Sequence, residues 1–397
     1  MNPFPPVLSR RGFLGWTATL PWVAMPGRAD DRPLRAAIIG HTGRGDYGHG
    51  LEAIFKGRPG IDLVAVADPV EVGRKRTGAA VGARATYADW REMLVRERPA
   101  LVSIAMRHAD QHADIALGCL RAGAHVYVEK PFTRDAAEAD EVLAEAGRQG
   151  LRVAVAHTMR MAPATRALHE ALAAGAIGDL RAMRAHGKQD ARAGGEDLMV
   201  LGTHLLDLMR SVAGDPRWCS AVVQQQGRAV GPADRRQVKD EVGWVAGDQV
   251  DARFGFDRGV IGTFTSDGRL RETSGHWGIE FVGSRGTARL LCDLVPRAFV
   301  RSGSAGSPEG RGEDWKPLGP ESPGGTAPTV PGSGVIDHNT APVTDWLAAI
   351  RSGREPECGG RNGAWAVEMA MAVHASSLAR ARVDLPLARR THPLGGG

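Results

Sequence analysis

From Pro33 to about Ala156 the chain alternates short apolar runs with stretches of helical spacing. Leu34–Ile39, Ile61–Ala67, Ala100–Ala105, His125–Glu129 and Leu151–Ala156 are nearly continuous in apolar character. Strands covered on both faces of a parallel sheet read this way, whereas a strand with one wet face alternates. Helices fall between them, such as Ala136–Arg148 with Thr133 as N-cap and Gly150 as stop. Repeated β-α units of this length predict a doubly wound domain over residues 33–156.

Past that point the rhythm changes. Val250–Phe256 and Val260–Thr265 flank Asp257-Arg258-Gly259, and Gly278–Val282 and Thr287–Leu291 flank Ser284-Arg285-Gly286. Alternating runs joined by Gly-containing turns predict antiparallel hairpins. A Gly-, Pro- and Ser-rich stretch, about 301–334, reads as a flexible surface excursion. Val343, Trp346, Leu347 and Ile350 then keep helical spacing before Gly353. Residues 157–397 are therefore expected to form a second, mixed domain.

At 397 residues the chain suits about two domains, and 43% hydrophobic with 24% charged residues is a globular composition. The net charge of +5 owes much to Arg10, Arg11 and Arg28, which leave 47 basic against 45 acidic residues elsewhere. No basic block remains, which argues against nucleic acid as a partner. Ser9-Arg10-Arg11-Gly12-Phe13-Leu14 before a short apolar run is the pattern of a twin-arginine (Tat) export signal, here residues 1–29. The Tat machinery is then a partner and the periplasm, or another exported site, the destination. Arg outnumbers Lys 44 to 6, so the pair has an accidental reading too, and that reading leaves the protein cytoplasmic. Cys119, Cys219, Cys292 and Cys358 show no metal spacing, the histidines show none, and no metal is assigned.

The first strand runs into Gly40-His41-Thr42-Gly43-Arg44-Gly45-Asp46-Tyr47-Gly48. A turn this tight lets backbone N–H groups and a helix N-terminus approach a pyrophosphate. Gly43-x-Gly45-x-x-Gly48 fits the dinucleotide pattern but begins late. Gly40-x-Thr42-x-x-Gly45 follows the strand directly and is preferred. Asp68 ends the second strand 23 residues after Gly45, where a carboxylate accepts from ribose hydroxyls. That favours NAD; Arg74 and Lys75 nearby keep NADP possible.

Lys130, one of six lysines in an arginine-dominated chain, stands where a buried strand runs out, at Glu129-Lys130-Pro131. Ligands of open α/β sheets sit outside such strand ends. With the glycine turn and Ala122-Gly123-Ala124-His125-Val126, this element resembles the Gfo/Idh/MocA oxidoreductase family. Arg160 with Pro163, Gly175-Ala176-Ile177-Gly178-Asp179, Gly202-x-His204 with Asp207, and Leu385-Pro386-Leu387 are also similar. The resemblance spans Leu34 to the C-terminus. It implies an α/β fold: an N-terminal Rossmann doubly wound domain plus a C-terminal α+β domain with a large, mostly antiparallel open sheet that mediates homo-oligomerisation. It further implies that Lys130 lies beside the nicotinamide, with Gly40, Thr42, Gly43, Gly45, Asp68 and Glu129 completing the cofactor site.

His204 is, by the same resemblance, the acid/base, with Asp207 at i+3 on one helix face to orient it. The family's acid four residues earlier is replaced by Val200. Asp197 and Glu196, two turns back, are the candidate substitutes, and Arg160 and Lys188 candidate substrate contacts. The expected activity is hydride transfer between a nicotinamide and a sugar, polyol or derivative. Export would require a tightly bound, recycled cofactor. A redox-neutral NAD-dependent glycosidase and a non-catalytic carbohydrate-binding protein are the alternatives.

Overall fold

The strands of the first half pair just where their burial on both faces requires. The computed structural model describes residues 32–270, 277–303, 315–319 and 338–395. Residues 1–29, read as a signal, lie outside them. β1 (Leu34–Ile39), β2 (Ile61–Ala67), β3 (Ala85–Tyr87), β4 (Leu101–Ile104), β5 (His125–Val128) and β6 (Val153–Val155) form one parallel sheet in the order β3-β2-β1-β4-β5-β6. This order reverses between β1 and β4, which is the switch point where doubly wound sheets bind dinucleotides. The crossovers carry α1 (Glu71–Val81), α2 (Trp90–Glu97), α3 (His112–Arg121) and α4 (Ala136–Gln149). Asp135 caps α4 by accepting from the Glu138 N–H at 3.0 Å, while Thr133 donates to the Asp135 carbonyl. The cap is thus Asp135 and not Thr133, because a carboxylate adjacent to the first turn reaches an N–H that Thr133 is too far away to meet.

Between β1 and β2 the expected helix does not form. Tyr47, Leu51, Ile54 and Phe55 are buried at helical spacing, yet residues 41–58 are a succession of turns. Gly43, Gly45, Gly48 and Gly50 all have positive φ, from +59° to +83°, and such residues interrupt any right-handed helix.

The second half begins with α5 (Pro163–Ala173) and β7 (Leu180–His186). A continuous helical run follows: α6 (Gly195–Asp197), a π segment (Leu198–Gly202) and α7 (Thr203–Ala213). The sheet is completed by β8 (Trp218–Gln225), β9 (Arg228–Ala229), β10 (Gln249–Gly255), β11 (Ile261–Asp267), β12 (Gly278–Gly283), β13 (Gly286–Leu291), β14 (Arg297–Ser302) and β15 (Lys316–Leu318). After α8 (Thr340–Ser352) and α9 (Gly360–Ala379), β16 (Val383–Asp384) closes the order β15-β14-β13-β12-β7-β11-β10-β8-β16, with β9 on β8. Both hairpins read from the sequence are antiparallel in register, and β7 with β11 is a parallel pair. Part of the expected excursion is also strand, since Lys316–Leu318 pairs with β14; much of the rest lies outside the described residues.

A linear division at residue 157 misplaces α8. Trp346 is fully buried against Phe55 and Tyr127, in the cluster that covers one face of the first sheet. Gly359 also bridges Ala154, so chain 338–359 returns to the domain it was read as having left. Turns at 41–58 leave that face undercovered, and a helix carrying a large aromatic fills it. On the opposite face one continuous core joins both sheets through α9.

Buried imidazoles make this fold acid-sensitive. His374, on α9, is 0% exposed and its ring nitrogens have no partner among the described residues, so burial pushes it down to about 3. The unfolded chain, with histidine near 6.5, binds a proton that the folded chain refuses between those values. Stability is therefore fully present above about pH 6.5 and falls as pH drops, at up to ~1.4 kcal/mol per pH unit for this group. Melting temperature should decline from pH 7 to pH 5, and His374→Leu should flatten that decline; equal slopes would contradict the assignment.

Candidate active site

Asp68, at the end of β2, is 1% exposed and surrounded by donors. Its Oδ2 accepts from Thr42 N (3.0 Å), Thr42 Oγ1 (2.6 Å) and Tyr47 Oη (2.8 Å), and its Oδ1 from Val70 N (2.8 Å). The expectation of an Asp68 carboxylate turned outward to a ribose is thus corrected: the carboxylate fastens the glycine turn. Thr42 occupies the middle position because both its N–H and hydroxyl are used there. Gly73 on α1 has to be glycine, since a Cβ would lie 1.7 Å from Thr42 Oγ1. Gly40 follows β1 directly and faces the Tyr47 ring, whose Cε1 a Cβ would meet at 2.2 Å. Burial raises the Tyr47 phenol far above its ordinary range. Arg74 donates to the Asp68 and Pro69 carbonyls and Lys75 pairs with Glu71, so neither cation faces the carboxylate.

Gly45 packs on the backbone of Arg107 and His108 beyond β4, while Gly43 has open space about it. The predicted pyrophosphate contact at a helix N-terminus has no counterpart, since no helix follows, and the N–H groups of Gly40 to Arg44 donate within the protein: Gly40 to the Ala67 carbonyl, His41 to that of Asp46, Thr42 to Asp68, Gly43 to the Asp46 carboxylate and Arg44 to the His41 carbonyl. The donor set still suits a dinucleotide: a turn at the β1/β4 switch point, with Arg107 and Lys130 at the next two strand ends.

At the end of β5, Glu129 is fully buried. Its carboxylate accepts from His49 Nδ1 (2.8 Å), His49 N (3.2 Å) and Lys130 N (2.8 Å). Burial alone would raise its pKa, but His49 and Lys130 hold it down to about 2. Glu129 is thus an ionised anchor for the turn that aims Lys130. The Lys130–Pro131 bond is cis.

Lys130 is 7% exposed and its Nζ donates to the Val200 carbonyl at 2.8 Å. Burial lowers its pKa, Glu129 and Asp240 oppose that, and Arg192 and Arg107 reinforce it. Val200 sits inside the π segment, where the widened turn disturbs the α-helical pairing of carbonyls. Where the resemblance implies an acid, this chain offers a main-chain oxygen. Around Lys130 lies a cavity of about 140 Å³ lined by His49, Arg107, Lys188, Arg192, Val200 and Asp240 among others. Lys188 is therefore on the wall. Larger clefts of about 600 and 650 Å³ lie along α2/α3 and beside Arg134 and Trp244; the second is lined by Asp110 and Glu241, which pair with Arg44 of the glycine turn.

His204 opens the α7 portion and is 7% exposed. Its ring stands edge-on to His157 (5.3 Å between centroids) and 6.0 Å from Trp277. Burial first, then His157 and Lys130, drive the imidazole well below its ordinary value, and burial sets His157 at about 4. Both rings are neutral at physiological pH. Sequence reading missed His157 and Trp277; His157 follows β6, so the strand-end rule that found Lys130 reaches it also.

Three expected contacts are corrected. Asp207 does not orient His204: it takes Arg160 in a two-pronged pair, Nε to Oδ2 at 2.8 Å and Nη2 to Oδ1 at 2.7 Å. That pair consumes Arg160, which is then no substrate contact. Asp197 is fully buried on Ser266 Oγ (2.7 Å) and Gln189 N (3.2 Å), and burial raises its pKa. It cannot stand in for the acid missing at Val200, and Glu196 instead faces Arg236 at 3.8 Å. Among the described residues no cluster of three His, Cys, Asp or Glu is placed to hold a metal.

Comparison with known proteins agrees with this geometry. Residues 34–157 match the model of an oxidoreductase family with an NAD-binding Rossmann fold (GFO_IDH_MocA), and residues 165–289 match a GFO/IDH/MocA C-terminal domain. A D-apiose dehydrogenase of Paraburkholderia graminis is 26% identical over 82% of this chain and 84% of its own. A trans-1,2-dihydrobenzene-1,2-diol dehydrogenase of Bos taurus is 31% identical over 52% of this chain and 58% of its own. Among solved structures, an oxidoreductase domain protein from Kribbella flavida superposes with a TM-score of 0.69 at 24% identity, covering 89% of this chain and all of that one. A levoglucosan dehydrogenase in complex with NADH and L-sorbose gives 0.70 at 20%, covering 90% and 100%. These last two likenesses establish the fold.

The Asp68 cluster carries a direct prediction. Asp68→Ala strands three donors of the turn, the Tyr47 hydroxyl buried and the Thr42 N–H and hydroxyl partly so, and should destabilise the protein by about 2–4 kcal/mol and speed amide exchange across 40–48. Unchanged protection of those amides would show that the carboxylate does not hold the turn.

Proposed function

The chain belongs to the Gfo/Idh/MocA family and is an NAD-dependent oxidoreductase, and on that premise we propose that it oxidises or reduces a carbinol carbon of a sugar, polyol or derivative. The observation that carries this reading is Lys130: a buried ammonium at a strand end beside the switch point, tied to the protein by one charged hydrogen bond and facing a cavity. Bound NAD supplies the hydride acceptor. Gly40 to Gly45, Arg107 and Lys130 are the residues that would hold it. In the oxidation direction Lys130 anchors the substrate oxygen and stabilises negative charge as it develops. His204, kept neutral by burial, takes the hydroxyl proton while the C–H hydrogen leaves as hydride. The Val200 carbonyl holds the ammonium in place without neutralising it, as an acid would.

The same reading includes export through the twin-arginine segment, with the cofactor carried and recycled within each turnover, and a homo-oligomer through the open sheet. On that sheet Arg253, Thr263, Arg184, Glu280 and Arg289 lie in one register row and alternate with the core positions, so a partner meeting this face would meet a polar surface.

Denaturing protein purified from the periplasmic fraction should release about one NAD per chain by mass spectrometry, with no free NADH accumulating during turnover. Free NADH would overturn cofactor recycling and leave the dehydrogenase reading standing. Lys130→Met and His204→Ala should each lower kcat by about 10²–10⁴-fold, and in His204→Ala NADH binding, followed by fluorescence, should change little. Full activity in either variant would remove that residue from the mechanism.

A further inference from the structure

The cavity wall around Lys130 is unusual in its charge. Arg107, Lys130, Lys188 and Arg192 line about 140 Å³ together with a single acid, Asp240. Counting Asp190 and Glu129 behind the wall still leaves one cation uncompensated. Two of the six lysines of the chain converge here, in a protein that elsewhere places arginine.

These cations divide by the element that carries them. Arg107 follows β4, and its N–H reaches the Gly45 carbonyl at 3.4 Å, so it belongs to the dinucleotide side. Lys188 and Arg192 come from the segment between β7 and α6 and close the cavity from the second sheet, across from Lys130. Asp190 grips Arg192 through Nε (3.0 Å) and Nη2 (2.5 Å), which fixes the guanidinium plane. Lys188 is held more loosely. Its ammonium lies 3.8 Å from Asp190 and its side chain is 38% exposed, within reach of a ligand. A neutral sugar needs hydrogen-bonding partners of both kinds, donors and acceptors. This wall supplies almost only charged donors, and Coulomb attraction in a partly enclosed site is stronger than in water.

Resting on the oxidoreductase reading above, we propose that the substrate is an anion, a sugar-type hydroxy acid whose carboxylate sits between Lys188 and Arg192 while Lys130 takes the reacting oxygen. The space suits a carboxylate, being a few water volumes of ~30 Å³ each. Arg192, its orientation fixed by Asp190, and the half-exposed Lys188 then determine specificity, apart from the chemistry performed at Lys130 and His204.

The test is calorimetric binding to the NAD-loaded full chain of matched pairs: D-glucuronate against D-glucose, D-gluconate against D-glucitol, and D-galacturonate against D-galactose, with D-glucose 6-phosphate alongside. At least one acid should bind tenfold or more tightly than its neutral partner, and raising salt from 50 to 500 mM should erode the preference. Lys188→Met should abolish the preference and Lys188→Arg restore it, with NAD affinity unchanged in both. Equal or tighter binding of the neutral partners, binding of none of the six, or tighter binding of the 6-phosphate would each overturn the proposal and leave the NAD-dependent reading intact. Failure of NAD itself to bind would overturn that reading and this one with it.

Discussion

One contact ties the two halves of this protein into a site: the Lys130 ammonium on the Val200 carbonyl. Lys130 stands at the C-terminal end of a strand in the parallel sheet, and Val200 lies in the π segment of the helix leading into α7. A charged hydrogen bond of this kind contributes about 1.5–3 kcal/mol, and more is lost if a buried ammonium is left without it. It also fixes where the remaining ammonium protons point. The cavity, the neighbouring cations and the helical run that carries Val200 and His204 meet at that junction.

Around it the protein manages charge by pairing what it must bury and leaving neutral what it cannot pair. Asp207 and Arg160 neutralise one another beside the histidines, Glu129 is ionised because His49 and Lys130 face it, and His157 and His204 are kept uncharged by desolvation. Removing one member of a buried pair such as Asp207–Arg160 costs about 3–5 kcal/mol, because the other is left as an unpaired charge. A neutral imidazole and a buried cation thereby share one region of the protein without forming an ion pair.

The glycine turn shows a different economy. In place of a helix, four left-handed glycines and an internal carboxylate define its shape. Its apolar residues still pack on the sheet, and α8 returns from far along the chain to complete that layer with Trp346.

Much of this architecture was legible before any coordinates. Continuous apolar runs located the parallel strands, Gly-bearing turns located the hairpins, and the strand-end rule singled out Lys130, because each depends on local periodicity or on a rule about where sheets bind ligands. The roles of Asp68, Asp207 and Asp197 were not legible. Each is a carboxylate with several donors in reach, and which donor wins depends on neighbours such as Tyr47, Arg160 or Ser266 brought up by the fold. Val200 was read as a missing acid because a main-chain carbonyl has no sequence signature, and only the π segment makes it available. Arg192 is one arginine among 44 until the fold sets it beside Lys130. The sequence alone determined the layers, the family and the lysine at the strand end, since those are encoded in pattern and local order. Tertiary structure decided which charges cancel and which remain free, since that balance is set by distance and burial between residues far apart in the chain.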